Sequence, residues 1–176
     1  MAKTLQQTAA VPGPTEMIEI RWADPSAEDL RPVVNAHLAH SQDAGPEESN
    51  HTMGVEGLQG PDMQFWALYD NGEPLACGAL KRLSDGSAEV KSVHVVEAAR
   101  GRGLARKMMT FFEETARQNK VTALVLETGA DHLTDYDAAR RLYERLGYEY
   151  CGPIPGYEPD PNSAFMRLDL GISNPS

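Results

Sequence analysis

Arg100-Gly101-Arg102-Gly103-Leu104-Ala105 is the stretch best suited to chemistry on a charged ligand. A Val-rich run from Val90 to Val96 feeds it, and a helical pattern leaves it. In such a strand–turn–helix, several backbone N–H groups converge on one point beside the positive end of the helix dipole. Gly101 and Gly103 let a ligand approach the backbone, and Ala105 is small enough for the first helical turn to lie against it. A phosphate or pyrophosphate fits there without a metal. The Gly-Lys-Ser/Thr of a nucleotide P-loop is missing, and the glycine spacing does not match a dinucleotide fingerprint. The basic cluster Arg100, Arg102, Arg106 and Lys107 stands out because the whole chain carries a formal net charge of −10. That charge argues against nucleic acid or an anionic membrane as partner.

The elements that must position this turn can be followed along the chain. Residues 1–16 look like a flexible leader without the apolar core of a signal peptide, so a cytoplasmic location is expected. Met17 to Trp22 alternates as a strand, and Ala27 to His40 has helical spacing after an Asp24-Pro25-Ser26 turn. A polar, acidic loop follows, then a short helix through Met53, Val55 and Leu58. Asn71-Gly72 between two apolar runs signals a hairpin, and Ser84-Asp85-Gly86-Ser87 a second turn, so three strands meander into the Val-rich run. A helix is expected from Gly103 to Asn119, and a buried central strand from Val121 to Leu126, ended by Glu127-Thr128-Gly129. Asp135 to Leu146 is a second amphipathic helix stopped by Gly147, and strands follow at Tyr148–Cys151 and Ala164–Leu170. Residues 17–170 read as a single domain and 171–176 as a tail. Cys77 and Cys151 are isolated, so buried thiols and no metal site are expected.

With these elements assigned, the chain resembles the GNAT superfamily of N-acetyltransferases. Arg100 to Ala105 matches that family's acyl-CoA pyrophosphate signature, and Ala139-Arg140-Arg141-Leu142-Tyr143-Glu144-Arg145-Leu146-Gly147-Tyr148 resembles its later helix-and-strand segment. The resemblance spans residues 17 to 170. It implies an α+β, three-layer fold whose mixed, mostly antiparallel sheet has about seven strands, a parallel crossover and about four helices. It implies acetyl-CoA as co-substrate, its pyrophosphate on Arg100, Gly101, Arg102, Gly103, Leu104 and Ala105. The pantetheine arm would run along His94, Val95 and Val96, and the acyl group would enter a gap between that strand and Val121–Leu126. Tyr136 stands where many members carry an Asn or Gln that contacts the cofactor. A lone strand histidine such as His94 can equally be structural.

The resemblance also implies roles in transfer. Amine acetylation needs a neutral amine and an acid near the leaving sulfur. Tyr143 matches the position of the acid; its alternative is a core aromatic. Glu89, eleven residues before Arg100, matches the base glutamate of histone-type members. The alternatives are a strand carboxylate paired with Lys91 or Arg82, with Glu127 or water as the base. A narrower resemblance is to small bacterial acetyltransferases associated with an indole-acetate-related pathway. It rests on Pro46 to His51, Leu126 to Gly129 and Cys151 to Met166. It implies a small-molecule amine or amino-acid-like acceptor met by Glu47, His51, Glu127, Tyr157 and Asn162. The sequence is compatible with a homodimer paired through its C-terminal strands. A non-catalytic acyl-CoA-binding module on the same fold is the competing function.

Overall fold

A computed structural model describes residues 17–43 and 55–174. Seven strands form one sheet: β1 (Ile18–Trp22), β2 (Met63–Asp70), β3 (Glu73–Arg82), β4 (Ala88–Val95), β5 (Ala123–Gly129), β6 (Glu149–Cys151) and β7 (Ser163–Asp169). Their order across the sheet is β1-β2-β3-β4-β5-β7-β6. The β4–β5 pair is parallel and every other pair antiparallel. The β2–β3 hairpin turns at Asn71 and Gly72, at φ 49° and 84°. Both central residues of the turn are therefore left-handed, as the right-handed strand twist favours.

Strand alternation creates two cores. Phe65, Ala67 and Tyr69 of β2 and Cys77 and Ala79 of β3 face one way, toward Val33 and Val34 of α1 (Arg31–Asp43). Trp66, Leu68, Ala76 and Leu80 face the other way, toward Leu104, Met108, Met109, Phe112 and Ala116 of α2 (Leu104–Gln118). α3 (Asp137–Arg145) lies on the α2 side, with Leu142 and Tyr143 packed against that core. Three layers result because successive side chains of each strand point to opposite faces. Gly78 of β3 lets α2 approach closely, since a Cβ there would sit 2.8 Å from the Phe112 ring.

Several elements depart from the sequence pattern. Among the described residues there are three α-helices; the short helix expected near Leu58 is a 3₁₀ turn at Val55–Gln59, with Gly57 inside it and Gly60 directly after. β5 continues through Glu127–Gly129, because those residues pair with Phe165–Ser163 of β7. Cys151 is exposed rather than buried, since β6 is a three-residue edge strand with all its residues exposed. Cys77 is buried, and burial holds its thiol up at about 12.

Candidate functional site

The site begins where the two central strands part. β4 and β5 pair only at Ala88 with Leu124 and Glu89 with Val125. Beyond that point β5 follows β7, while β4 remains paired with β3 on its other side. Ser92 sits at φ 58°, and the β3–β4 register slips between Cys77 and Ala79, a bulge that bends β4 away. The wedge opens into a cleft of about 680 Å³, reaching from Glu89 and Glu127 to the Arg100–Arg106 turn. The β4 backbone from Val90 to Val95 forms one wall and has no ladder partner on the β5 side.

The glycine-spaced turn closes one end. Gly101 and Gly103 take φ 81° and 75°, which L side chains rarely adopt, and their Cβ positions face open space. Gly103 is the N-cap of α2 and no side chain caps the helix, so the first-turn amides are left for another acceptor. Arg100, Leu104, Ala105 and Arg106 line the cleft with both glycines. Two expected cofactor residues are arranged differently. The Arg102 guanidinium is 2.7 Å from the Asp70 carboxylate at the end of β2, and Arg102 is outside the cleft lining. Val96 donates its N–H to Leu75 O at 2.9 Å and accepts from Ala99 at 3.0 Å, so its backbone is engaged. His94 and Val95 do line the cleft; the His94 ring lies 5.7 Å from that of His37 on α1, a neighbour on a separate element that sequence spacing did not reveal.

The other end is a cluster of charges and phenols. Glu89 is 2% exposed and accepts a 2.5 Å hydrogen bond from Tyr157 Oη. Lys91 Nζ donates to the same Oη at 2.9 Å and lies 3.4 Å from Glu89 Oε1. The Lys91 pairing was one of the two readings open from sequence; the Tyr157 bond was not visible there. Burial, the bond to Glu89 and the charges of Glu89 and Glu127 push the Tyr157 phenol well up, so it stays protonated. Glu127 accepts from Ser163 Oγ at 2.7 Å. Asn162 lines the same end, with Oδ1 2.8 Å from His132 Nε2. Glu47 and His51 lie outside the described residues.

Tyr143 reaches the cleft from α3 and packs against Tyr148, ring centroids 5.9 Å apart. Burial first, then its neighbour Tyr136, holds its phenol up at about 12. Tyr136 belongs to the 3₁₀ turn Thr134–Tyr136 before α3, and its ring lies where a Cβ on Gly129 would go. The loop that carries it is gathered by Arg140, a residue sequence reasoning passed over. Arg140 Nη1 donates to the carbonyls of Gly129 (2.6 Å), Ala130 (2.9 Å) and Leu133 (3.3 Å), and Nη2 to Asp131 O (3.4 Å) and the Asp137 carboxylate. The only prior signal was a charged residue within the apolar pattern of α3.

A splayed parallel pair, an uncapped glycine turn at one end and titratable groups at the other make this cleft the candidate active site. The acetyltransferase (GNAT) family model matches residues 16–148, and the chain belongs to that family. It is 35% identical to the uncharacterized N-acetyltransferase YsnE of Bacillus subtilis, over 87% of this chain and 100% of YsnE. It is 37% identical to an IAA acetyltransferase of Azospirillum brasilense, over 73% of this chain and 82% of that protein. Among solved structures it resembles YncA of Salmonella typhimurium with its cofactor acetyl-CoA, at TM-score 0.64 and 19% identity, covering 87% of this chain and 94% of that one.

Proposed function

We propose that the protein transfers an acetyl group from acetyl-CoA to the amine of a small molecule, by direct transfer in a ternary complex. The observation that carries this reading is the open β4 edge. It runs without a ladder partner from the glycine turn to the carboxylates, so one extended ligand spans the cleft and delivers its thioester to the splay. The turn amides, with Arg100, would hold the pyrophosphate, and backbone groups at His94 and Val95 would pair with the pantetheine amides. The acetyl-CoA-bound structural neighbour and the relatives named as acetyltransferases support the same donor.

The amine nitrogen attacks the thioester carbonyl carbon; the C–N bond forms and the C–S bond breaks, leaving an amide and a thiolate. A proton must leave the nitrogen. Glu89 already accepts from Tyr157 and pairs with Lys91, so we assign it to holding those two groups and give the proton to Glu127 or a water beside it. Tyr143 faces the leaving sulfur in this reading. Its phenol, held up at about 12 by burial, is protonated when the thiolate departs, so Tyr143 is the donor to the leaving sulfur and solvent restores the proton balance.

The test is release of CoA thiol from acetyl-CoA with a panel of amines and amino acids, with the acetamide identified by mass. Tight CoA binding without turnover on any of them would replace this reading with that of a binding module.

A further inference from the structure

We propose that the acceptor is an amino acid that binds as a zwitterion, its carboxylate on Lys91 and its ammonium on Glu127; this rests on the N-acetyltransferase reading above. The observation is what the splay does to two facing charges. The last parallel pair is Glu89 with Val125. Two residues further along each strand stand Lys91 and Glu127, on the face of the sheet that Glu89 and Val125 share. In a closed sheet these two would be neighbours of opposite charge. Instead Lys91 makes its ion pair with Glu89 on its own strand, at 3.4 Å, and Glu127 accepts from Ser163 at 2.7 Å. Both line the cleft, so the splay leaves an ammonium on one wall and a carboxylate on the other.

Each wall holds its charge in place at the cleft. An ammonium has three N–H donors. Tyr157 Oη takes one from Lys91 at 2.9 Å and Glu89 lies beside a second, while the third meets no partner among the described residues. The Lys91 side chain is only 12% exposed, so solvent does little for that donor. Tyr157 fixes the ammonium by donating to Glu89 and accepting from Lys91, with its ring centroid 5.5 Å from Nζ. On the opposite wall, Glu127 lines the cleft together with Tyr136 and Tyr157. A carboxylate sharing a cleft with aromatic rings suits an ammonium. An amine without a carboxylate leaves the third Lys91 donor unmatched in a part-buried site, which lowers its use relative to the matching amino acid.

The experiment compares matched pairs that differ only by the carboxylate: phenylalanine with phenethylamine, tryptophan with tryptamine, leucine with isopentylamine and lysine with cadaverine. CoA thiol release is followed for the wild type, K91M and K91R. The wild type is expected to favour the amino acid of a productive pair by roughly ten- to a hundredfold in kcat/KM, the span of one charged hydrogen bond. K91M should bring that ratio toward one, and K91R should keep most of the preference. Equal or better use of the decarboxylated partner by the wild type overturns the proposal, as does an unchanged ratio in K91M. The wild-type ratio decides the matter even where K91M does not fold. Turnover confined to carboxylate-free amines overturns this inference and leaves the N-acetyltransferase reading standing. Thiol release from neither class overturns both.

Discussion

Arg140→Met is the sharpest test of how the site is held. The Arg140 side chain is 7% exposed and donates to the carbonyls of Gly129, Ala130, Leu133 and Asp131 and to the Asp137 carboxylate. Methionine keeps much of the stem and removes every donor. The Gly129 bond is buried, so its loss costs the full value of a charged hydrogen bond, about 1.5–3 kcal/mol. The other partners are part-buried and Asp137 is 39% exposed, so water recovers most of what they lose. About 3–4 kcal/mol in total follows, at the lower end of what breaking a buried charge contact costs. For a chain of this size, that lowers Tm by about 6–16 °C. Thermal and urea unfolding would measure it, alongside acetyl-CoA affinity, because the loosened loop carries Tyr136 over Gly129. Arg140→Lys should recover part of the loss, since one ammonium cannot span four carbonyls. An Arg140→Met protein melting within about 2 °C of the parent would refute the reasoning.

Other expectations follow from the tyrosines. Tyr143→Phe should lower kcat by about a hundredfold while changing the acetyl-CoA KM little, as expected when a donor to developing charge is lost; an unchanged kcat in steady-state assays removes Tyr143 from the transfer step. Tyr148 Oη is buried without a hydrogen-bond partner among the described residues. Tyr148→Phe should therefore stabilise the fold by about 1 kcal/mol, read as a rise in Tm, and a fall would show the hydroxyl is satisfied. The Tyr143 phenol is raised from 10.0 to about 12, and those of Tyr148 and Tyr157 are raised as well. The folded state then holds protons that the unfolded chain gives up, so their contribution is whole below about pH 10 and fades as pH climbs through 12. Melting temperature followed from pH 8 upward should fall in that window; a flat profile would contradict the burial of these phenols.

Much of the fold could be read locally. The Asn71-Gly72 hairpin, the alternation of β2 and β3 and the amphipathic patterns of α2 and α3 depend on residues within a turn or two of one another. The glycine turn was legible for the same reason: Gly101 and Gly103 need φ above zero, and a helix begins directly after them. Element ends were harder. Nothing in Glu127-Thr128-Gly129 says strand until β7 is there to pair with it.

The arrangement of the candidate site depended on contacts that no local pattern records. Tyr157 meets Glu89 across 68 positions of chain, and Arg102 turns to Asp70 across 32. Arg140 serves the carbonyls of a loop whose course is set by where β5 ends. The splay itself comes from β4 staying with β3 while β5 leaves with β7, a competition between ladders that only the assembled sheet decides. Residue types and short spacings determined the glycine-spaced turn and the supply of acids, bases and phenols, because backbone conformation and side-chain chemistry are local properties. Which of those groups share a wall, and which are already taken, was decided by long-range packing alone.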